Sequence, residues 1–429
     1  MKIYNKHLFL LSLFILVVAS ACVESFDTDT EIEITDALVV DARLTTQNSQ
    51  QSILLSRTFA FDSSTPKPET EANVIVRDDS GTVITFSEVV PGKYISISII
   101  QLVPGRKYQL EITTKEGLKY ISDYEEVPSN VEIEEVTASR VINNSDIEGV
   151  SILVNSSNNN SSPSYFRYEF EETYKLVAPE FNPFDWDEVD YDFFCEDDDG
   201  WEVTTAARDE PARICYATSN SNDIILSSTE NLSSNNLENF EVRFLSRENY
   251  RISHRYSILV KQYHHSVNAA SFYKSLEDFS SEESIFSNTQ TGLLEGNINS
   301  ENSDALVLGF FELSSYSEKR MFFNYEDLFP NEPLPPYIIN CFITGKPALY
   351  PEGFHATVIN GKVVLDGNDS SPLIEGILSG AFGYHAENDT YLQLDENGDE
   401  DRAPFLIKAR GCVDCRVFGE NVMPEYWEE

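Results

Sequence analysis

At 429 residues, with 72 acidic against 30 basic side chains, the chain carries a formal net charge of −42. That balance repels nucleic acid and anionic headgroups and excludes a nucleic-acid partner. Hydrophobic residues at 41% and aromatics at 12% supply material for packed cores, so the chain is not a disordered one, and its length calls for more than one core.

Residues 1–21 read as a secretory signal. Lys2 and Lys6 open it, an apolar run from Leu8 to Val18 follows, and Ala19, Ser20 and Ala21 place small residues ahead of Cys22. The run is shorter than the roughly 20 residues of a spanning helix. A cysteine directly after the small residues is the lipoprotein form of such a signal, although Ala19 stands where Leu is commoner. Cleavage before Cys22 and lipidation of its thiol are therefore expected. Loss of Lys2 and Lys6 leaves 28 basic residues and a mature net charge of −44. Two or more acyl chains, at about 0.8 kcal/mol per buried methylene, anchor stably. Residues 22–36, with Glu24, Asp27, Asp29, Glu31 and Glu33, form an acidic tether.

Residues 37–128 alternate short apolar runs with turns. Ala37–Leu44, Ser52–Thr58, Asn73–Arg77 and Thr82–Phe86 read as strands, and Asp79-Ser80-Gly81, Pro91-Gly92 and Pro104-Gly105 as turns. Tyr108, Leu110 and Ile112 alternate with Gln109, Glu111 and Thr113, a period of two that puts one face in a core. About seven short strands in some 90 residues indicate an immunoglobulin-like β-sandwich.

Residues 129–429 read as a larger β-rich domain with one or a few short helices, so the fold class is mainly β. Phe166, Tyr168 and Phe170 alternate with Arg167, Glu169 and Glu171, and 256–263 reads as a strand partly covered on both faces. Ile224–Leu226, Val242–Phe244, Leu306–Phe311 and Met321–Phe323 are further strands. Ser266 caps a helix with Ala269, Phe272, Tyr273 and Leu276 on one face. There is no repeat of solenoid or propeller period.

With Cys22 lipidated, five cysteines remain in an oxidising compartment: Cys195, Cys215, Cys341, Cys412 and Cys415. Cys195 with Cys215 is the first pairing expected, and Cys341 with Cys412 or Cys415 the second. A single Cys412-Val413-Asp414-Cys415 spacing, without a second pair or a nearby His, favours a structural disulfide over zinc or redox chemistry.

Phe184, Trp186, Tyr191, Phe193, Phe194 and Trp201 lie among many carboxylates. Exposed aromatics anchor a partner or ligand; the alternative is a surface loop whose aromatics fold back. Asp395, Asn397, Asp399 and Asp401 put oxygen ligands at alternate positions, as calcium loops do. Gly398 falls at the fourth position, not the sixth, and no closing glutamate follows, so an acidic turn is expected, with a looser calcium site as the alternative. No other cofactor is expected. His264 and His265 are adjacent on a strand and point to opposite faces, which favours packing over a shared metal. No serine elbow, HExxH, Walker or dinucleotide motif is present, so no catalytic residue is assigned and the chain is not expected to be an enzyme.

Four stretches resemble one family, the Bacteroidota lipoproteins catalogued as domain of unknown function 4249. They are Ala37–Thr45 with Ile53–Thr58; Asp79–Gly81 through Pro91–Tyr94 to Tyr108–Ile112; Arg255–Tyr263 through Glu295–Ile298 to Val307–Phe310; and a tail with Cys412-Val413-Asp414-Cys415-Arg416, Gly419, Asn421, Pro424 and Tyr426-Trp427. Glu420 stands where the family usually has a second Gly, and Met423-Pro424 where Lys-Pro is usual. The acidic tether likewise resembles the surface-export signal of Bacteroidota lipoproteins. Family members are often encoded beside TonB-dependent outer-membrane transporters, so the resemblance implies a surface partner analogous to the SusD-type lids that cap them. The expectation is a lipid-anchored, surface-exposed outer-membrane protein that docks on such a β-barrel and helps capture or gate substrate. The alternative is a structural subunit of an envelope-assembly or secretion complex.

Overall fold

The alternation at Tyr108, Leu110 and Ile112 is realised in the strand Lys107–Thr113, where these three side chains are buried. The computed structural model describes residues 36–58, 66–158, 162–192, 200–280, 296–301, 305–349, 355–359, 362–366, 371–394 and 401–429. Cys22, the leader, the tether through residue 35, Phe193, Phe194, Cys195, Asp395, Asn397 and Asp399 lie outside them. The described chain is mainly β, with several sheets and few short helices.

In the first region Leu38–Thr45, Ser52–Arg57, Lys93–Ser96, Val83–Val90, Asn73–Asp78, Lys107–Thr113, Lys119–Ser122 and Ile298–Ser300 are hydrogen-bonded in that order along one path. Their inward faces share one core that includes Leu38, Val40, Ile53, Val76, Leu110 and Tyr120. The turns hold through polar side chains. The Asp78 carboxylate accepts from Ser80 N at 3.0 Å, Thr82 N at 2.7 Å and Arg106 Nη1 at 2.8 Å.

This unit is not finished at residue 128. Ile298–Ser300 adds a strand to Lys119–Ser122, and Val307–Asn324 runs parallel to Leu38–Thr45 from Leu38 opposite Val307 to Thr45 opposite Ser314. The side-chain amide of Asn297 then accepts from Phe311 N at 2.7 Å and donates to Phe311 O at 3.0 Å. That exchange imitates strand pairing and joins the two ends of the path around the core. A boundary at 128 therefore leaves out two strands that local patterning cannot assign, because they come from far along the chain.

Close backbone approach at this seam requires glycine. Gly309 has φ +123°, and a Cβ there would lie 2.0 Å from Val40 O. Gly309→Ala is expected to destabilise the protein by about 2–3 kcal/mol, seen as a lower urea midpoint. An unchanged midpoint would show that the seam tolerates a side chain.

Val307–Asn324 is one strand, where Leu306–Phe311 and Met321–Phe323 read separately as two. Its middle, Glu312 to Arg320, looks solvent-facing in sequence, yet Glu312, Ser314, Ser315 and Ser317 are buried. From Ser315 onward it pairs antiparallel with Arg255–His265, which pairs with Tyr165–Val177. A three-stranded sheet of Ile133–Ile142, Glu148–Ser157 and Asn236–Ser246 covers this layer. Val150, Ile152, Val154, Tyr168, Tyr256 and Ile258 fill the second core between them.

A third, smaller core lies under the helix Pro372–Leu378, whose Ser371 cap accepts from Ile374 N. Leu373, Ile374, Tyr384, Phe405 and Ile407 form it. Residues 129–429 thus hold the second and third cores and also complete the first through Ile298, Phe311 and Leu313.

Candidate functional site

Strand register places Arg167 opposite Tyr263. Period-two patterning assigns Arg167 to the wet face of its strand; it is instead buried, with its guanidinium 4.3 Å from the Tyr263 ring centroid and 5.0 Å from that of Tyr273. Tyr273 comes from the helix Val267–Ser280, entered through Ser266 Oγ accepting from Ala269 N at 3.2 Å. The helix rests on the sheet through Phe272 against Phe310, with centroids 5.3 Å apart. The Tyr273 hydroxyl donates to Glu312.

The charges here interlock. Arg43 donates to both oxygens of Asp41, at 2.8 and 3.0 Å, and to Glu169 at 3.1 Å. Arg167 donates to Glu169 and, at 3.4 Å, to Glu312. Tyr263 donates to Glu169 at 3.0 Å. His265 stacks on Tyr273, and its Nδ1 lies 3.5 Å from Glu312 Oε1.

Burial alone would raise the Glu312 carboxyl, but Arg167 and His265 outweigh it and hold the group well below the usual carboxylate range. Burial would likewise lower Arg167, and Glu312, Tyr273 and Glu169 keep it above its ordinary value. Burial, then the neighbouring carboxylates, pushes both tyrosines up: Glu169 acts on Tyr263 and Glu312 on Tyr273. Desolvating such ions costs several kcal/mol each, so the pairing sustains a charge arrangement that the core alone does not require.

Beside the cluster opens a cleft of about 580 Å³. Its apolar walls are Val39, Leu308 and Phe310 from the strands, Phe272 and Leu276 from the helix, and Ile224. Asp41, Arg43, Arg167 and Glu169 form its charged wall, and Asp223 is exposed along it. A second recess of about 180 Å³ shares those four charged residues. A largely apolar cavity of this size with a few convergent polar groups is the usual form of a small-ligand site.

The segment beginning at Phe184 is a hairpin, Phe184–Asp192 with Gly200–Ala207, in which Tyr191 is opposite Trp201. Trp186 is turned inward: its indole donates to Phe382 O at 3.0 Å and meets Tyr384 and Phe405 edge-on. Val189 and Val203 also pack on the third core, so the root of the hairpin is structural. Phe184 is exposed.

The two disulfides are Cys215–Cys415 and Cys341–Cys412. The second is one of the pairings expected; the first replaces Cys195–Cys215. Cys195 lies outside the described residues; the strand Ile214–Asn220 that carries Cys215 faces the tail, which pairs back on it through Tyr216 and Glu420. Each cysteine of the CxxC thus bonds outward, Cys415 in the second core and Cys412 to the loop beside the third. Asp414 between them accepts from Arg208 at 3.0 Å and Arg416 at 2.8 Å, while Arg208 and Arg410 reach Asp185 at 2.7 and 2.6 Å. Burial raises the Asp414 carboxyl, but Arg416 and Arg208 bring it below its ordinary value.

Asp401 is engaged by Thr390, Asn388 and Lys346 and by the Ala403 amide. Among the described residues no three His, Cys, Asp or Glu side chains are grouped as metal ligands would be. His264 bonds Ser129 O at 2.9 Å and packs near Phe166, on the other face from His265.

The charged cluster was not singled out by sequence reasoning. A signal existed: Asp41 with Arg43 and Arg167 with Glu169 are opposite charges two apart on strands, hence on one face. The family described as domain of unknown function (DUF4249) matches residues 23–320. Among curated proteins, none matches.

Proposed function

The chain belongs to the DUF4249 family, and we propose on that premise that it is a surface lipoprotein of the outer membrane that docks on a TonB-dependent transporter and captures substrate for it. The observation that carries this reading is the cleft between the helix Val267–Ser280 and the sheet seam, with its preorganised ionic wall. Its walls combine residues from both sides of the seam, so occupancy bears on how the two cores sit against each other. Lipid on Cys22 confines the molecule to the membrane plane, where weak docking gains from raised effective concentration.

Affinity purification from detergent-extracted outer membranes tests this. The expected main partner is a β-barrel transporter, lost when Cys22→Ala releases the protein from the membrane. Recovery of assembly or secretion factors as the main partners, with no transporter, would replace this reading with that of an envelope-assembly subunit. Protease added to intact cells should digest the protein; full protection would reject surface exposure.

A further inference from the structure

We infer that the cleft takes the amino end of a short apolar peptide, a ligand class that rests on the capture role proposed above. Three observations converge. First, Phe272, Leu276, Leu308 and Phe310 present a wall for apolar side chains, and the volume of about 580 Å³ suits a ligand of two or three residues.

Second, the sign of the charge favours a cation. Asp41 and Glu169 are bound to Arg43, and Glu169 and Glu312 to Arg167, so both guanidinium groups are neutralised. Asp223 on the same cleft is exposed and has no ion pair or hydrogen bond among the described residues. An anion would meet that carboxylate and a chain of net charge −42, whereas an ammonium group is drawn to both.

Third, Arg167 Nε is buried and finds no acceptor, although Arg167 lines the cleft. A buried donor left without a partner is costly, and a shift of the Arg167 side chain toward the cleft would bring it to the carbonyl of a bound peptide. A free amine, an adjacent carbonyl and apolar side chains occur together at a peptide amino terminus.

The test titrates the full-length protein in detergent micelles with leucyl-phenylalanine amide and with its N-acetyl derivative, by calorimetry. The free amine is expected to bind, and acetylation to weaken it about fivefold, the scale of one solvent-facing ion pair. Asp223→Asn should bring the free amine down to the acetylated ligand's affinity. Leu276→Arg, at the half-buried helix wall of the cleft, should abolish binding while the far-ultraviolet spectrum is unchanged. Equal affinity for the two ligands, an unaltered Asp223→Asn titration, or no heat up to about 10 mM would overturn the inference. Transporter retention is measured separately, so a failed titration with retention intact rejects the ligand class alone. Peptide binding without retention rejects the docking alone.

Discussion

Arg167→Met is expected to lower the unfolding free energy by about 3–5 kcal/mol, because it leaves Glu312 ionised and buried without its main counter-charge. Glu312 is fully buried, and its remaining neighbours are His265 and the Tyr273 hydroxyl. The same change removes the guanidinium packed over Tyr263 and Tyr273. Adding Glu312→Gln to that variant should recover part of the loss, since the uncompensated charge is gone; a double variant no more stable than Arg167→Met would mean that packing, not charge, dominates. Denaturant unfolding of the four proteins gives the comparison.

The same pair makes stability depend on pH in a defined direction. Glu312 is held below its ordinary pKa in the folded state, mainly by Arg167 against the opposing effect of burial. A group of that kind contributes its full stabilisation above the unfolded carboxyl value of about 4.3 and loses it as pH falls toward the folded value. The native protein should therefore destabilise more steeply below about pH 4 than Glu312→Gln does.

Breaking Cys215–Cys415 by paired serine substitutions is expected to cost about 5 kcal/mol on the loop-entropy account, and Cys341–Cys412 about 4 kcal/mol. The difference follows from sequence separations of 200 and 71 residues. Beyond loop entropy, Cys415 lies in the second core, and Lys408 Nζ donates to Cys341 O at 2.8 Å beside the other bridge. Thermal melts of the two variants should both fall well below the native protein, with Cys215/Cys415 lower. A reversed order would show that the tail is held chiefly by its other contacts. Trp427 is the foremost of these, buried between Tyr216 and Phe322.

The CxxC shows why spacing alone misleads about chemistry. Two cysteines three apart invite a bond to each other or to a metal. Here a short helix, Arg410–Val413, and the turn at Asp414 send them to different cores, with Arg208, Arg410 and Arg416 packed around the intervening carboxylate. The aromatic hairpin shows a related division of roles. Trp186, Val189 and Val203 bind its root to the third core, so excising residues 184–201 whole would remove core side chains along with the surface.

Strand and turn positions from Leu38 to Ser122, the capped helix at Ser266 and the opposed faces of His264 and His265 were legible by sequence alone. Periodicity, turn residues and capping act over a few positions and need no knowledge of the rest of the chain. The class, mainly β, follows from the same local signals. Three things only the tertiary structure decided. The first unit is completed by Ile298–Ser300 and Val307–Asn324, a seam set by Asn297 and Gly309. Cys215 meets Cys415 because the tail returns to the strand Ile214–Asn220. Arg167 and Glu312, charges that composition assigns to solvent, lie buried under a helix because each finds its counter-ion two strands away across the sheet, beyond Arg255–His265. Pairings of this kind depend on which distant segments come to lie side by side, and no short-range pattern encodes that choice.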